Sequence, residues 1–430
     1  MADREVGVLA IGAGPANLAL AAAVEESGSD ELADETLLLE QFPDTKWQRN
    51  LLMPWARSQV SFLKDLVTLR NPRSRFSFLS FLHGQGRLDQ FVNLGTFHPF
   101  RWEFSEYLQW VAGSLERVGI RYGAQAVRID PVRDAQGVVT GWTVLLADGD
   151  TVRCRDLVVG GGRDPRVPEV FAGLPAERVI HSAHYLTRIA QLPKEAPTRA
   201  VVIGGAQSAA EIFFALHEDL PASRLTMVVR SVALQNYQTS KFMNELFFPS
   251  YVDEFYDSPA EVRAQILDDM RFTNYAGLAP PFLDELYTML YRQRMLGPQR
   301  SSVRAMTEVV AARVEGEGAG EEIVLDLRDG RSGKVEPLAC DLVLLGTGYD
   351  SQMPTLVREL AQRMALEEIA VSRSYRVDLG ASARGALYLQ GVNEQTHGIA
   401  DSLISVLAHR SHDIVTDLLA RRAVPSRGAL

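Results

Sequence analysis

The chain has 430 residues, of which 46% are hydrophobic and 23% charged, so it can bury a core large enough for two or three domains. Its formal net charge of −10 argues against nucleic acid as a partner, because a phosphate backbone requires a basic surface. The two cysteines, Cys154 and Cys340, are too few for a disulfide framework and too far apart for a Cys-x-x-Cys redox pair. We therefore expect a globular cytoplasmic protein.

An uncharged run at residues 6–24 is long enough for a membrane span or a signal segment. Gly12, Gly14, Pro15 and Asn17 interrupt this run, which favours a buried strand over residues 6–11, a tight turn and a buried helix. We expect no membrane span.

That strand, turn and helix have the pattern of a dinucleotide site, in which glycine lets backbone N–H groups approach a pyrophosphate. A second apolar strand, residues 36–40, ends in Glu40, where an acidic side chain accepts the ribose hydroxyls of an adenine dinucleotide. Gly12, Gly14 and Glu40 therefore predict a first nucleotide site. Asn17 stands where the general fingerprint has a small residue.

Strands are predicted next at residues 157–160 and 200–203, and the latter leads into a second glycine turn that begins at Gly204. The following strand, residues 225–229, ends in Arg230 instead of an acid, which favours the 2′-phosphate of NADPH over NADH. Two dinucleotide sites on one chain indicate a flavin that is reduced by a nicotinamide nucleotide.

The rest of the chain contains one aromatic-rich stretch and several shorter predicted elements. Residues 46–110 show little periodicity before residue 104, which indicates a long, functional insertion. The other predictions are helices at 102–118 and 401–419, a helical module at 242–296, hairpins at 148–150 and 314–334, and strands at 342–345 and 386–389.

Several short stretches are more specific than a glycine turn. They are Gly-Ala-Gly-Pro-Ala-Asn at 12–17, Gln-Val-Ser-Phe-Leu-Lys-Asp-Leu at 59–66, Gln-Ser-Ala-Ala-Glu at 207–211, Phe-Met-Asn-Glu at 242–245, Thr-Asn-Tyr at 273–275, Gly-Thr-Gly-Tyr at 346–349, Thr-His-Gly at 396–398 and Asp-Ser-Leu-Ile-Ser at 401–405. Together they resemble the flavin-dependent N-hydroxylating monooxygenases of siderophore biosynthesis, especially the L-ornithine N5-monooxygenases, along nearly the whole chain.

The resemblance implies an α/β fold with two Rossmann-like dinucleotide-binding domains, one for FAD and one for NADPH, and a smaller helical substrate-binding insertion. The FAD domain would comprise residues 1–166 and 340–430, and the NADPH domain residues 167–235 and 300–339. Residues 236–299 would form the helical substrate-binding region.

The same resemblance implies which residues hold the cofactors. FAD would lie on the first turn, with Trp47 and Gln59 near the flavin, and NADPH on the second turn. The residues implied for FAD are Gly12, Gly14, Asn17, Glu40, Trp47, Gln59, Gly348 and Asp401, and those for NADPH are Gly204, Gln207, Ser208, Arg230 and Asn274.

For the substrate, the resemblance implies that Lys64 pairs with the carboxylate of an amino acid and that Asn244 holds its head group. Asn274 and Ser405 would lie near the side-chain amine. The substrate carboxylate requires a cation such as Lys64. The amine must stay neutral to act as a nucleophile, and carbonyl or hydroxyl acceptors allow this, whereas a carboxylate beside it would favour the ammonium form. Taken singly, Lys64 is better explained as a solvated lysine, both asparagines as helix or turn caps, and Ser405 as a helix residue bonded to its own backbone. Their joint occurrence within matching local sequences favours the substrate site instead.

The implied reaction is N-hydroxylation of the side-chain amine, with L-ornithine converted to N5-hydroxy-L-ornithine after O2 adds to reduced FAD at C4a. The partners are then a small amine and O2, without a metal ion, and an assembly of several copies is left open. L-lysine, another amino acid or a diamine stays an alternative substrate, although a diamine would leave Lys64 unpaired. A disulfide reductase would need an adjacent cysteine pair, and a non-catalytic nucleotide-binding protein is a further alternative.

Three places depart from the family pattern. Ala206 stands where the family commonly has glycine, which predicts a tighter approach of the pyrophosphate. Residues 57–58 and 277–278 differ from the ornithine-type sequences. Because both pairs flank the predicted pocket, the identity of the substrate depends on them most.

Overall fold

The computed structural model of the protein describes residues 3–238, 240–275 and 277–423. The strands are β1 (Asp3–Ile11), β2 (Thr36–Leu39), β3 (Gly119–Arg121), β4 (Ala126–Arg133), β5 (Val139–Leu146), β6 (Thr151–Val159), β7 (Val179–His181), β8 (Arg199–Ile203), β9 (Arg224–Val229), β10 (Ser301–Ala305), β11 (Thr307–Glu315), β12 (Glu322–Asp329), β13 (Val335–Cys340), β14 (Leu342–Leu345) and β15 (Leu387–Leu389).

The helices are α1 (Pro15–Glu25), α2 (Asp30–Asp34), α3 (Phe78–Gly84), α4 (Leu88–Leu94), α5 (Arg101–Ser114), α6 (Tyr185–Ile189), α7 (Gln207–Asp219), α8 (Lys241–Glu245), α9 (Tyr251–Asp257), α10 (Ala260–Asn274), α11 (Pro280–Leu296), α12 (Thr355–Met364), α13 (Glu394–His397) and α14 (Leu407–Ala423). In the part of the chain that the structure describes, no helix is long and apolar enough to cross a membrane.

The first sheet is built around β1, which pairs in parallel with β2 on one side and with β6 on the other. Its order is β3-β2-β1-β6-β5-β4, and β15 pairs with the end of β6. The central strands are rich in Val, Leu and Ile because both faces of the sheet are buried, as is usual for parallel strands. Helices α1, α5 and α14 cover one face, and α12 packs on the other.

The second sheet is parallel throughout and has the order β10-β9-β8-β14-β7. Helices α7 and α11 pack on one face, and the antiparallel sheet β11-β12-β13 packs on the other. The hairpin predicted at 314–334 corresponds to the end of β11, the whole of β12 and the turn that connects β12 to β13. Two sheets, one parallel throughout and one with a parallel centre and the antiparallel strands β4 and β5 at one edge, are each covered on both faces and confirm the predicted α/β fold.

Strand β14 belongs to the second sheet, where it lies between β7 and β8. The predicted boundary at residue 340 assigns this strand to the first domain and therefore cuts through the second sheet. An apolar strand followed by glycine does not reveal which sheet it joins, because its neighbours lie far away in sequence. The remaining domain limits stay predictions.

The helical insertion leaves the second sheet after β9 and returns to it at β10. Its last helix, α11, packs on the second sheet, whereas α9 and α10 pack elsewhere. Their apolar side chains form a cluster with the chain that follows β15. The buried members of this cluster are Phe247, Val252, Met270, Ile399, Ala400 and Val406.

Two helix limits differ from the prediction. The helix predicted at 102–118 is α5, which begins at Arg101 and ends at Ser114, where the chain becomes extended. The helix predicted at 401–419 begins only at Leu407, because residues 399–406 form two 3-10 turns.

The aromatic-rich stretch is more regular than predicted, since α3 and α4 lie within it. Each has 7 residues, which is too short for a helical period to stand out in the sequence. Their order comes from tertiary packing, because Phe78, Phe81 and Phe91 enter the core that covers the first sheet.

A buried ion pair joins the two halves of the molecule. Arg101, the first residue of α5, donates two hydrogen bonds of 2.8 Å to the carboxylate of Glu211 on α7. It also donates one of 2.6 Å to the carbonyl of Leu51. Both charged side chains are at most 6% exposed, so either one without its partner would be an uncompensated buried charge. The pair therefore fixes α7 against α5.

A buried histidine lies beside the chain that follows β15. The ring of His397 is 1% exposed and stacks on Tyr375, with ring centroids 4.2 Å apart. Its Nδ1 lies 2.8 Å from the hydroxyl of Thr396. Burial lowers the pKa of His397 from 6.5 to about 4, so the folded protein holds this ring neutral.

We predict that His397 makes the folded state less stable as the pH falls. The unfolded chain takes up the proton near pH 6.5 and the folded chain only near pH 4, so stability is lost in this window. Between pH 7.5 and 5.0 the loss amounts to about 2 kcal/mol. His397→Gln should therefore show a smaller fall of the urea unfolding midpoint over this interval than the wild type. Exposed His83→Gln is the matched control, and equal falls in all three proteins would contradict the assignment.

Candidate active site

The first glycine turn lies at the carboxyl end of β1. Gly12 has a φ of +91°, and a Cβ atom there would lie 3.1 Å from the carbonyl oxygen of Gly160. Gly14 is the N-cap of α1, and among the described residues no atom outside Gly14, its chain neighbours and the first turn of the helix lies within 4 Å of the place where its Cβ would be. The N-terminus of α1 is therefore open at Gly14, as a pyrophosphate site requires.

Asn17 holds this turn from behind. Its Nδ2 donates to the carbonyls of Ile11 and Gly12, both at 2.8 Å, and its Oδ1 accepts a hydrogen bond from Gln390 at 2.8 Å. A Cβ atom at Gly160 would lie 2.8 Å from Oδ1 of Asn17. Gly160, directly after the neighbouring strand β6, thus makes room for asparagine where the general fingerprint has a small residue.

The same network reaches Asp401. Arg410, which is 1% exposed, donates to Gln390 at 3.1 Å and to the Asp401 carboxylate at 2.7 Å. That carboxylate also accepts the N–H of Asn393 at 2.7 Å. The side chains of Asn17 and Asp401 are thus both hydrogen-bonded within the protein, and their implied contact with FAD stays a prediction. The buried Oδ1 of Asn393 has no partner among the described residues.

Glu40 follows β2 and is 8% exposed. Its carboxylate accepts the N–H of Ala13, in the turn, at 2.9 Å and the N–H of Phe42 at 3.0 Å. These bonds hold two acceptor oxygens beside the turn, which is the arrangement that a ribose diol requires. The two residues implied to lie near the flavin itself are on the irregular segment that follows, where Trp47 is half-buried and Gln59 is exposed.

Lys64 and Ser405 are in contact, although 341 residues separate them. The Lys64 Nζ donates a hydrogen bond of 3.3 Å to the Ser405 hydroxyl. Lys64 ends a short 3-10 turn over residues 62–64, and Ser405 lies in the 3-10 turn before α14. Burial lowers the pKa of Lys64. An anion beside this half-buried ammonium would replace the hydration that it has lost.

Asp65 fixes the turn that carries Lys64. Its carboxylate accepts the N–H groups of Val67, Thr68 and Phe78 at 3.0, 2.6 and 2.7 Å, and the Thr68 hydroxyl at 2.8 Å. Burial raises the pKa of Asp65, while these hydrogen bonds act in the opposite direction. The backbone at Lys64 is therefore held rigidly, and only its long side chain is free to move.

Asn244 and Asn274 lie on two helices of the insertion. Asn244 is exposed on α8, and Asn274 is the half-buried last residue of α10. Neither side-chain amide is hydrogen-bonded to another described residue. Both helices pack through one apolar cluster against the 399–406 segment that carries Ser405. All four residues implied for the substrate thus lie on segments that meet around this cluster and the Lys64 turn.

The second glycine turn lies at the carboxyl end of β8 and leads into α7. Gly204 has a φ of +135°, and a Cβ atom there would lie 2.4 Å from the carbonyl oxygen of Gly346. A Cβ atom at Gly346 would in turn lie 2.4 Å from that of Ala209. Ala206 is the N-cap of α7 with a φ of −107°, which any residue adopts. Its methyl group therefore introduces no backbone strain.

The side-chain amide of Gln207 is hydrogen-bonded through both its nitrogen and its oxygen. Its Nε2 donates to Glu211 at 2.8 Å, and its Oε1 accepts the N–H of Ala279 at 2.9 Å. One N–H of the amide is left for a nucleotide. Ser208 is the second residue of α7, and Arg230 follows β9 as an exposed side chain without an ion-pair partner among the described residues.

Gly348 lies three residues after β14, where the chain leaves the second sheet. Its φ is +73°, and its carbonyl accepts the N–H of Arg166 at 3.0 Å and lies 2.9 Å from Nε2 of His181. Because Nδ1 of His181 accepts the N–H of Ala183, Nε2 is the donor to Gly348. Burial lowers the pKa of His181. The implied contact of Gly348 with FAD can involve its N–H and Cα, because its carbonyl is already bonded.

Both departures near the pocket have structural explanations. A Cβ atom at Gly277 would lie 2.2 Å from the backbone nitrogen of Tyr237, so this position admits only glycine. The buried Ser58 hydroxyl donates to the carbonyl of Val60 at 3.0 Å and accepts its N–H at 3.2 Å. The Arg57 guanidinium lies 4.2 Å from the centroid of the Phe100 ring.

Reasoning from the sequence missed the residues that hold the site in place. They are Asp65, Arg101, Glu211, Gln390, Asn393 and Arg410. Arg410 carries a detectable signal, because it stands in the apolar stripe that Leu407, Ile414 and Leu418 form on α14. A charged residue in such a stripe indicates a buried ion pair. The others carry no local signal, since their partners are distant in sequence.

Comparison with known proteins places these features in one family. Residues 5–351 match the family described as L-lysine 6-monooxygenase/L-ornithine 5-monooxygenase. The L-ornithine N(5)-monooxygenase of Pseudomonas aeruginosa is 38% identical over 415 residues, which cover 95% of this chain and 92% of that protein.

Solved structures of ornithine hydroxylases have the same fold. The ornithine hydroxylase PvdA from Pseudomonas aeruginosa is 37% identical, with a TM-score of 0.89 over 97% of this chain and 100% of that one. The ornithine N-hydroxylase KtzI of Kutzneria sp. 744, with reduced FAD, NADP+ and L-ornithine, is 32% identical, with a TM-score of 0.87 over 97% and 100% of the two chains.

Enzymes that act on other amines are also similar. The L-lysine 6-monooxygenase from Pseudomonas syringae is 31% identical, with a TM-score of 0.83 over 97% of this chain and 99% of that one. The FAD-bound cadaverine monooxygenase DfoA from Erwinia amylovora is 25% identical, with a TM-score of 0.82 over 98% and 96%. The protein thus belongs to the L-lysine 6-monooxygenase/L-ornithine 5-monooxygenase family and is, as its motifs predict, a flavin-dependent N-hydroxylating monooxygenase.

Proposed function

We propose that the protein converts L-ornithine to N5-hydroxy-L-ornithine, with FAD on the first turn and NADPH on the second. The contact between Lys64 and Ser405 carries this proposal. It sets a cation for a carboxylate beside a hydroxyl that can accept a hydrogen bond from an amine. Lysine and cadaverine hydroxylases share the fold, so the fold does not distinguish one amine substrate from another. The side chains that would contact the substrate do.

The residues present fit both cofactors. The first turn is open at Gly14 and has the Glu40 carboxylate beside it. The second has Arg230 at the neighbouring strand end, exposed and without an ion-pair partner in the described part of the chain. The similar Kutzneria enzyme holds FAD and NADP+. When bound, the flavin supplies the reaction with O2 and the transfer of one oxygen atom to the amine.

Lys64 would exchange one partner for another when the substrate binds. The carboxylate and the side-chain amine of ornithine are about 6 Å apart. Lys64 and Ser405, 3.3 Å apart, therefore cannot hold opposite ends of the substrate in the position that they now have. The flexible Lys64 stem would swing to the carboxylate and so release the Ser405 hydroxyl to accept from the amine.

The amine must be neutral to act as a nucleophile, whereas a free primary amine is mostly protonated at pH 7. Ser405 is 3% exposed, so an amine beside it would be largely desolvated, which penalises the ammonium form. Asn274 would supply a carbonyl acceptor without a charge. Asn244 would hold the amino acid head group through its free side-chain amide.

We predict that L-ornithine is the substrate with efficient coupling. The measurement is hydroxylamine formed per NADPH consumed, with added FAD, for L-ornithine, L-lysine, 2,4-diaminobutyrate, putrescine and cadaverine. L-Ornithine should give a ratio near one, and the other amines should release mainly H2O2. Efficient hydroxylation of a diamine, which has no carboxylate for Lys64, would contradict the proposal.

We predict that Lys64→Ala weakens the binding of L-ornithine. Loss of a charge-assisted hydrogen bond, worth about 1.5–3 kcal/mol, should raise the KM for L-ornithine by roughly 10- to 150-fold. NADPH oxidation without substrate should be unchanged, and so should the weak activity with putrescine. Lys194→Ala, on an exposed loop, is the matched control. An unchanged KM for L-ornithine would show that the carboxylate is bound elsewhere.

We predict that Arg230 selects NADPH. Arg230→Ala removes charge-assisted hydrogen bonds to the 2′-phosphate that are worth about 1.5–3 kcal/mol. It should therefore raise the KM for NADPH by roughly 10- to 150-fold and leave the KM for NADH unchanged. The matched control is Arg224→Ala, which removes an exposed arginine from the opposite end of β9. Equal losses with both nucleotides would instead indicate that Arg230 does not contact the 2′-phosphate.

A further inference from the structure

The chain passes between the two sheets twice, and the two connecting segments lie side by side. Residues 160–166 lead from β6 towards β7, and residues 346–351 lead away from β14. Besides the bond that the Gly348 carbonyl accepts, the N–H of Asp350 donates to the carbonyl of Asp164 at 2.8 Å. The two segments are therefore paired through their backbones, and we call this pair the crossing.

Arg163 connects the crossing to the chain that follows β15. Its Nη1 donates to the carbonyls of Asp350 and Ser351 at 3.3 and 3.1 Å, and its Nε donates to that of Gly391 at 3.3 Å. Its Nη2 lies 3.4 Å from the carboxylate of Glu394, and the two charged side chains are 13% and 14% exposed. Every nitrogen of the guanidinium thus contacts the protein, so Arg163 holds parts of the chain together instead of presenting its charge to a ligand.

Glu394 extends this connection to the helical insertion. Its carboxylate accepts a hydrogen bond from the hydroxyl of Tyr275, which also lies 3.1 Å from the hydroxyl of Ser402. Burial and the Glu394 carboxylate raise the pKa of Tyr275, so its hydroxyl keeps the proton that it donates. Tyr275 directly follows Asn274, and Ser402 lies three residues before Ser405. The hydroxyl therefore bridges the two segments that are implied to surround the substrate amine.

Apolar packing alone does not define the position of Asn274. The cluster that α10 shares with the 399–406 segment is non-directional, and its last member on α10, Met270, lies one turn before Asn274. A hydrogen bond has a preferred length and direction. The bond from Tyr275 to Glu394 can therefore fix the end of α10 where the apolar contacts would let it shift.

We infer that three side chains, Arg163, Glu394 and Tyr275, are positioning residues for N-hydroxylation. They hold Asn274 at a fixed distance from Ser405 and act on the amine only through these two residues. The inference rests on the proposed function, in which Asn274 and Ser405 contact the amine. A displacement of about 1 Å can cost roughly 100-fold in rate. Without this connection the amine should be hydroxylated more slowly, and more of the NADPH consumed should end as H2O2.

The test measures hydroxylamine formed per NADPH consumed by the FAD-loaded protein with L-ornithine. Tyr275→Phe removes one oxygen atom, and Glu394→Ala removes its acceptor. Both should lower the ratio from near one to below about one half. The KM for L-ornithine, which depends on Lys64, should change little, and so should NADPH oxidation without substrate. Tyr287→Phe, at a 60% exposed position of α11, is the matched control and should behave as the wild type.

Two further variants show whether the three side chains act as one connection. Glu394→Gln keeps an oxygen that can accept from the Tyr275 hydroxyl, so it should restore most of the coupling that Glu394→Ala loses. Tyr275→Phe combined with Glu394→Ala should be no worse than the more severe single variant, because both remove the same contact. Arg163→Ala should lower the ratio in the same direction. Losses that add up in the double variant would overturn the inference.

Asn274→Ala in the same assay separates this inference from the proposed function. If Asn274→Ala lowers the ratio while Tyr275→Phe and Glu394→Ala keep the wild-type ratio, the inference is overturned and the proposed function stands. If Asn274→Ala keeps the wild-type ratio, the proposed contact of Asn274 with the amine is wrong, and the inference fails with it. A wild type that forms no hydroxylamine from L-ornithine would contradict the proposed function directly.

Discussion

The relation between the two nucleotide sites depends on the buried carboxylate of Glu211. It accepts two hydrogen bonds from Arg101 and one from Gln207, and Gln207 in turn accepts the N–H of Ala279. One side chain on α7 therefore fixes three parts of the molecule: the helix that covers the first sheet, the second glycine turn and the start of α11. Because the charged groups of Arg101 and Glu211 are hydrogen-bonded to each other and to neighbouring groups, these bonds compensate for the hydration that both lose on burial.

A second buried network does the same for the first site. Asn17, Gln390, Arg410 and Asp401 connect the first glycine turn to the chain that follows β15. Both networks place charged or amide groups behind a glycine turn and leave the open side of the turn free. Hydride transfer between two bound nucleotides requires their rings to be held within about 0.5 Å of one productive geometry. Two glycine turns that buried hydrogen bonds hold in place meet that requirement better than flexible loops would.

The sequence predicts most reliably what depends on neighbouring residues. Both glycine turns, the strands that lead into them and Glu40 follow from local patterns, and the structure has each of them where the pattern predicts it. The sheet that β14 joins, by contrast, is decided by strands about 140 residues earlier in the chain. The proximity of Lys64 to Ser405 depends on residues 341 apart, and only the resemblance to a family indicated that both serve one substrate. The Arg101–Glu211 pair, 110 residues apart, gave no local signal.

If Lys64 anchors the substrate carboxylate and Ser405 accepts from its amine, as proposed, these two side chains determine where selectivity among amino acids arises. Lysine exceeds ornithine by one methylene, and a pocket distinguishes such a difference by only about 1–3 kcal/mol. The backbone at Lys64 is fixed by Asp65, but the four-carbon stem can follow a carboxylate that has moved by the length of one bond. Ser405 is different, because its short side chain is buried within a packed 3-10 turn and cannot follow the amine. A longer amino acid is therefore bound with little loss of affinity but presents its amine away from Ser405, so the discrimination should appear in the coupling of NADPH oxidation to hydroxylation rather than in KM.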